Sequence, residues 1–145
     1  MISNDLTQAR IDLAAVLRWS ARLGYQTGTC NHFSFMVPGR DDLFLVNPEG
    51  YFWSELTASS LVLCTLEGEV VEGNGKVERT AFSLHAPVHR HNPALRACFH
   101  THMPNATACG KDPRRLAFAR RLDCVGVADH SRRAREGAGA AWRRL

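Results

Sequence analysis

No run of this chain approaches the ~18 consecutive apolar residues that a membrane-spanning helix needs. This holds although 45% of its 145 residues are hydrophobic. A bilayer-crossing helix is therefore not expected. The N-terminal stretch lacks a basic segment followed by an apolar one and carries Asn4, Asp5 and Asp12 instead, so no secretory signal is expected. No CxxC motif occurs. The five cysteines, Cys30, Cys64, Cys98, Cys109 and Cys124, are dispersed and odd in number. That pattern argues against a disulfide framework or zinc ribbon and for reduced thiols in a cytoplasmic protein. Internal repeats are absent too.

Charge is unevenly shared. Residues 111–145 hold ten Lys/Arg against four Asp/Glu, a net +6, while residues 1–110 hold eight against ten, a net −2. The overall +4 thus belongs to the tail. Nucleic-acid binding calls for basic residues interleaved with aromatics. The tail offers only Phe118 and Trp142 as aromatics, so no nucleic-acid partner is expected. Ser131–Leu145 is rich in Arg, Ala and Gly without apolar periodicity, the composition of a solvated basic tail.

What the chain does have is Cys98-Phe99-His100-Thr101-His102 at the end of an apolar run. Residues i and i+2 of a strand share a face. His100 and His102 are therefore placed to offer two imidazoles to one divalent ion such as zinc. The other reading of an isolated HxH is a solvated strand edge.

Around that pair, the pattern predicts a helix over residues 5–23, capped by Ser3 or Asn4 and stopped at Gly24, with Leu6, Ala9, Leu13, Val16 and Leu17 on one face. β-type segments follow at Phe33–Val37, Leu43–Val46, Tyr51–Trp53 and Leu61–Leu66, with a Glu67-Gly68 turn into Glu69–Val71. Val77–Arg90 has helical character that Pro87 should kink or shorten. Arg96–His102 is the strand carrying the histidines, and Pro104 suits the first turn of another helix. The order implies an α/β or α+β domain with a largely antiparallel sheet.

Four segments together resemble the class II aldolase/adducin family. They are Gly28-Thr29-Cys30-Asn31-His32-Phe33-Ser34, Val46-Asn47-Pro48-Glu49-Gly50 with the following Leu56–Val62, Leu66–Gly73, and Glu78–His85 running on to Phe99-His100-Thr101-His102. The motifs cover residues up to about 110, giving a family-like domain over 1–110 and a basic tail over 111–145 without family character. The resemblance implies an α/β fold of three layers, its antiparallel-rich central sheet flanked by helices, with the C-terminal part incomplete. It also implies a homo-oligomer, often a tetramer in this family, and a small carbonyl or sugar-derived substrate. Catalytic members hold a divalent metal, most often Zn²⁺, through the HxH pair and a further histidine, and cleave carbon–carbon bonds through an enediolate. Adducin itself is a non-catalytic interaction protein, the alternative reading for this chain, as is an inactive truncated member.

Carried over residue by residue, the resemblance makes His100 and His102 metal ligands. It makes Asn31, His32, Gly50, Arg79 and Thr80 substrate-binding. The family's acid/base glutamate lies four residues before His85, where this chain has Ala81, so Glu78 becomes the catalytic candidate. Its competing reading is a helix-start glutamate favoured by the dipole. The only histidine after the pair is His130. The family's paired hydroxyl residues are replaced by Arg79-Thr80, and its Thr-Gly turn by Glu49-Gly50. These changes favour a carboxylate or an unphosphorylated carbonyl compound over a sugar phosphate. Asn31 and His32 read equally as turn stabilisers. His85 is expected to pack inward, His89 and His91 to lie at the surface, and Cys30 to be a small buried residue.

Overall fold

The computed structural model describes residues 2–104. Elements follow in the order α1 (Ile2–Arg22), β1 (His32–Met36), β2 (Leu43–Val46), two 3₁₀ turns (Trp53–Glu55 and Ala58–Ser60), β3 (Val62–Thr65), β4 (Val70–Glu72), α2 (Arg79–His91) and β5 (Ala97–His100). The described unit ends at Thr101; His102 belongs to a second unit. The tail assigned to residues 111–145 and the helix expected from Pro104 onward lie outside the described residues, apart from Pro104 itself.

The strands form one antiparallel sheet in the order β4-β3-β2-β1-β5. Alternation along each strand sends side chains to two separate cores. Phe33, Leu45 and Leu63 join Ala9, Leu13, Ala14 and Leu17 of α1, with Trp53, Leu56 and Leu61 from the connecting turns. Met36, Phe44, Val46, Val62 and Cys64 face the other way and pack with Ala81 and Ala86 of α2. The result is the expected three layers: helix, antiparallel sheet, helix. Each large side chain fully buried here, such as Trp53 or Phe44 at 0% exposure, contributes roughly 1.5–3 kcal/mol.

Local chemistry sets the element ends. Gly24, at φ 73°, closes α1: its N–H bonds the Ala21 carbonyl and the Tyr25 N–H bonds the Ser20 carbonyl. This is the paired closure that a left-handed glycine permits. Ser20, not Val16, continues the buried stripe after Leu17; Val16 is 39% exposed, because the sheet contacts a face centred on Ala9, Leu13 and Leu17. Tyr51–Trp53 is not a strand. Tyr51 and Phe52 are exposed, and Trp53 opens a 3₁₀ turn held by the Glu55 carboxylate, which accepts from the Phe52 N–H at 2.9 Å. At α2 the helix starts at Arg79 and runs through Pro87 to His91. Pro87 lacks only one N–H, and the turns on either side, packed on the sheet through Ala86 and His89, carry the helix past it.

Candidate active site

Three elements converge on the α2 face of the sheet. His32 and Ser34, two residues apart on β1, point to that face, and β5 pairs beside them with His32 opposite His100 and Ser34 opposite Cys98. His85 and His89, four residues apart on α2, lie on its inner face. His32, Ser34, His85 and His89 are each at most 1% exposed. Burial of this much polar surface is tolerable only when every group is paired.

The pairing is continuous. His32 Nδ1 meets His85 Nε2 at 2.7 Å. The other nitrogen of His85, Nδ1, lies 2.5 Å from Ser34 Oγ. Ser34 Oγ is 2.7 Å from His89 Nε2, and His89 Nδ1 donates to the Leu95 carbonyl at 3.0 Å. At the other end, His32 Nε2 stands 3.4 Å from Thr80 Oγ1 and 3.7 Å from Glu78 Oε2. The His32 ring also meets the His100 ring edge-on, centroids 4.4 Å apart and planes at 89°.

Glu78 caps α2, accepting from the Ala81 N–H at 3.0 Å and from the Thr80 hydroxyl. Partial burial works against its charged form. The Thr80 hydroxyl and N–H, the Ala81 N–H and nearby His32 outweigh that, so its carboxyl sits below the usual glutamate range. It is a carboxylate at neutral pH, a group that accepts protons. Burial, followed by the neighbouring imidazoles of His32, His89 and His100, pushes His85 well below the ordinary histidine value. Burial, and then Arg96, also lower His89, against a raising effect of the Leu95 carbonyl. Both rings are neutral at pH 7.

The residues expected at the site divide into two groups. Glu78, Thr80, His32 and His100 come together. Asn31 is buried and serves the preceding loop: its Oδ1 accepts from the Thr27 N–H at 2.6 Å, and its carbonyl accepts from Asn47 Nδ2 and Trp53 Nε1, both at 3.2 Å. Its Nδ2 has no partner among the described residues. Gly50 occupies an exposed turn at φ 85°, and Arg79 is exposed at the start of α2. β5 ends at His100, and His102 stands two residues beyond it, exposed.

Two expectations are overturned. His89 is not a surface residue but 1% exposed, because it closes the imidazole chain. Cys30 is exposed, since the loop turns it outward while Asn31 turns in. Ser34 was not singled out at all; the signal for it was its i+2 spacing from His32, matched by the i+4 spacing of His85 and His89.

Among the described residues, no group of three or more His, Cys, Asp or Glu side chains is arranged to hold a metal ion. Catalytic zinc usually has three protein ligands. The described residues therefore do not form a metal centre by themselves.

The sequence matches the family model described as the class II aldolase and adducin N-terminal domain over residues 11–132. A Caulobacter vibrioides protein assigned by name to aldolase class 2 is 37% identical over 108 residues, covering 74% of this chain and 42% of that protein. Beta-adducin of Rattus norvegicus is 33% identical over 112 residues, covering 72% of this chain and 15% of that one. The crystal structure of an aldolase II superfamily protein from Pseudomonas syringae superposes with a TM-score of 0.72 at 30% identity, over 77% of this chain and 46% of that one. The chain thus spans less than half the length of these relatives. With the three-layer antiparallel fold and the motif order in agreement, this chain belongs to the class II aldolase and adducin family.

Proposed function

We propose that this chain is a class II aldolase-type enzyme, a carbon–carbon lyase or related carbonyl enzyme that works through an enediolate. The observation that carries the reading is Glu78: a carboxylate held in its charged form at the cap of α2, 3.7 Å from an imidazole nitrogen of His32. A proton taken from a substrate hydroxyl, or from carbon next to a carbonyl, needs an acceptor of this kind at neutral pH. Thr80 orients the Glu78 carboxylate through its hydroxyl.

In this reading Thr80 and His32 touch the substrate beside Glu78, while Arg79 and Gly50 line the approach. Asn31 supplies the amide N–H that it leaves uncommitted among the described residues. His100 and His102 match the family's HxH pair and are the proposed ligands of a divalent ion, Zn²⁺ first. The substrate is a small carbonyl or sugar-derived compound, the enzyme a homo-oligomer, and the location cytoplasmic. Cys30, Cys64 and Cys98 are free thiols, and no helix among the described residues is long and apolar enough to cross a membrane.

One observation favours a second reading, an adducin-like interaction module without catalysis. Ala81, at the place of the aldolase glutamate, is fully buried and carries no acid/base group. Hydrogen–deuterium exchange at the carbon next to the carbonyl of dihydroxyacetone, followed by NMR in D₂O with and without added Zn²⁺, separates the two. The enzyme reading expects exchange that Glu78→Gln slows by about 10²–10⁴-fold. Exchange at the uncatalysed rate under both conditions, or equal rates for the variant, overturns it.

A further inference from the structure

Glu78 is reached over a tightly seated strap. Between β4 and α2 the chain runs through residues 73–78. Gly73 sits at φ 110°, where a Cβ would stand 3.2 Å from the Leu61 carbonyl oxygen and 3.3 Å from Val62 Cα. Gly75 is tighter: a Cβ there would lie 2.5 Å from Pro48 Cβ and 2.9 Å from Val62 Cγ2. Carbon atoms pack best at about 3.5–4.0 Å, so only a hydrogen fits at this point. The Lys76 carbonyl then accepts from the Glu49 N–H at 2.8 Å, and Val77 packs against the core that holds Met36 and Ala81. Glu78 follows as the cap of α2, accepting from the Ala81 N–H. The seat of the strap also serves the other side of the site. Pro48 is buried in the turn that carries Gly50, and Asn47 before it accepts from the N–H of Phe33, the residue after His32. One turn thus bears on both the strap and the start of β1.

We propose that Gly75 is a positioning residue: by lacking a side chain it lets the strap seat on Pro48 and Val62, and that seat sets where the Glu78 carboxylate stands at the cap of α2. Gly75 acts through Glu78 and has no chemistry of its own. The inference deepens the proposed active site and rests on that reading only for the catalytic role of Glu78.

The size of the effect follows from the contacts. An alanine at 75 would need roughly 1 Å more room to reach ordinary carbon–carbon separation from Pro48. Pro48 and Val62 are buried, whereas Asn74 and Lys76 on either side of Gly75 are exposed, so the strap is the part that yields. Its displacement is passed along Lys76 and Val77 to Glu78. A shift of about 1 Å at a reacting group can cost about 10²-fold in rate.

Two readouts on the full ¹⁵N-labelled chain test this. The first is the Ala81 amide signal, which reports the bond from that N–H to Glu78 and is calibrated by Glu78→Ala. The second is the exchange rate of dihydroxyacetone. Gly75→Ala should move the Ala81 signal in the direction that Glu78→Ala moves it, while the Trp53 indole signal on the other side of the sheet stays in place. It should lower kcat for exchange by about 10²-fold with little change in KM. Placed in a Pro48→Gly, Val62→Ala background, which removes both close atoms, Gly75→Ala should leave both readouts as they are in that background. A folded Gly75→Ala protein with an unmoved Ala81 signal overturns the proposal, and so does an equal displacement with and without the Pro48 and Val62 side chains. Should Gly75→Ala alone fail to fold, the relieved background decides: a folded protein with that background's Ala81 signal supports the seat, and failure to fold there overturns it. The amide readout needs no turnover. A protein with the expected amide shifts and no exchange removes the lyase reading and keeps the strap; an active Gly75→Ala protein with wild-type signal and rate does the opposite.

Discussion

Mild acid should loosen this fold at a pH where its carboxylates are still charged. The perturbation is a shift from about pH 7.5 to about pH 5.5. Burial, and then the imidazoles around it, hold His85 well below its ordinary value of 6.5, and burial holds His89 below the same value. His85 stays neutral in the fold and becomes protonated in the unfolded chain, and His89 takes up its proton less readily in the fold than in the unfolded chain. The unfolded state therefore binds more protons, and stability falls as pH drops through 6.5. At one pH unit below 6.5, a ring that stays neutral in the fold accounts for about 1.4 kcal/mol. His85 alone gives about 1.4 kcal/mol, and His89 brings the total to at most about 2.8 kcal/mol. That is a large share of the roughly 5–15 kcal/mol that holds a domain together. Glu78 acts in a lower window: its depressed value means its contribution is lost only as pH falls through the acid range below the usual glutamate value of 4.5. Urea unfolding at intervals across this range, followed by the fluorescence of fully buried Trp53, measures the drop. His89→Gln, which removes one titrating ring, should be less stable at pH 7.5 and show a shallower acid slope. An unfolding free energy that is flat within about 0.5 kcal/mol, a fraction of the single-ring value, would refute the buried neutral imidazoles.

At the alkaline side the sign reverses. Burial pushes Cys64 and Cys98 from 9.0 up to about 11, so the unfolded chain loses these protons first and stability should fall between pH 9 and pH 11; thiol-reagent kinetics at pH 9 should show exposed Cys30 reacting quickly and Cys64 only after urea is added. Asn47→Ala removes the acceptor of the buried Phe33 N–H, a 2.9 Å bond, while the Asn31 carbonyl keeps its bond from Trp53. The stranded N–H should lower the urea-measured stability by about 1–3 kcal/mol, and a loss near zero would show that the start of β1 does not depend on this clasp.

Elements whose pattern is local were legible in the sequence. Leu43–Val46 alternates between the two cores as a buried strand must, and the structure returns the same bounds. Gly24 ends α1 where its left-handed geometry is required. The Tyr51–Trp53 reading failed because aromatic residues favour strands. What decides there is the Glu55 carboxylate bonding back to the Phe52 N–H and Gln26 Oε1 receiving the Trp53 N–H at 2.8 Å. At the site, Glu78 was legible as a helix-start residue and the family motif marked His32. The buried status of His89 was not, since its partner Ser34 is 55 positions away and only the sheet brings them together. Three histidines within seven residues of α2 look alike in sequence. The helical period separates them: 85 and 89 share the inner face, and 91 falls outside it.

The exchange of Ala81 for the aldolase glutamate follows the same logic of faces. Ala81 is fully buried in the apolar layer with Met36, Phe44, Val46 and Ala86. A carboxylate there would have to ionise among hydrocarbon side chains. Glu78, three residues earlier, escapes this because it lies before the first turn of the helix, where unpaired N–H groups and the dipole favour negative charge. In the proposed reading the acid/base carboxylate is the one at the helix cap, and His32 stands near it at the first residue of β1. Behind His32, two residues of the same strand hold the helix: His32 meets His85, and Ser34 bonds both His85 and His89.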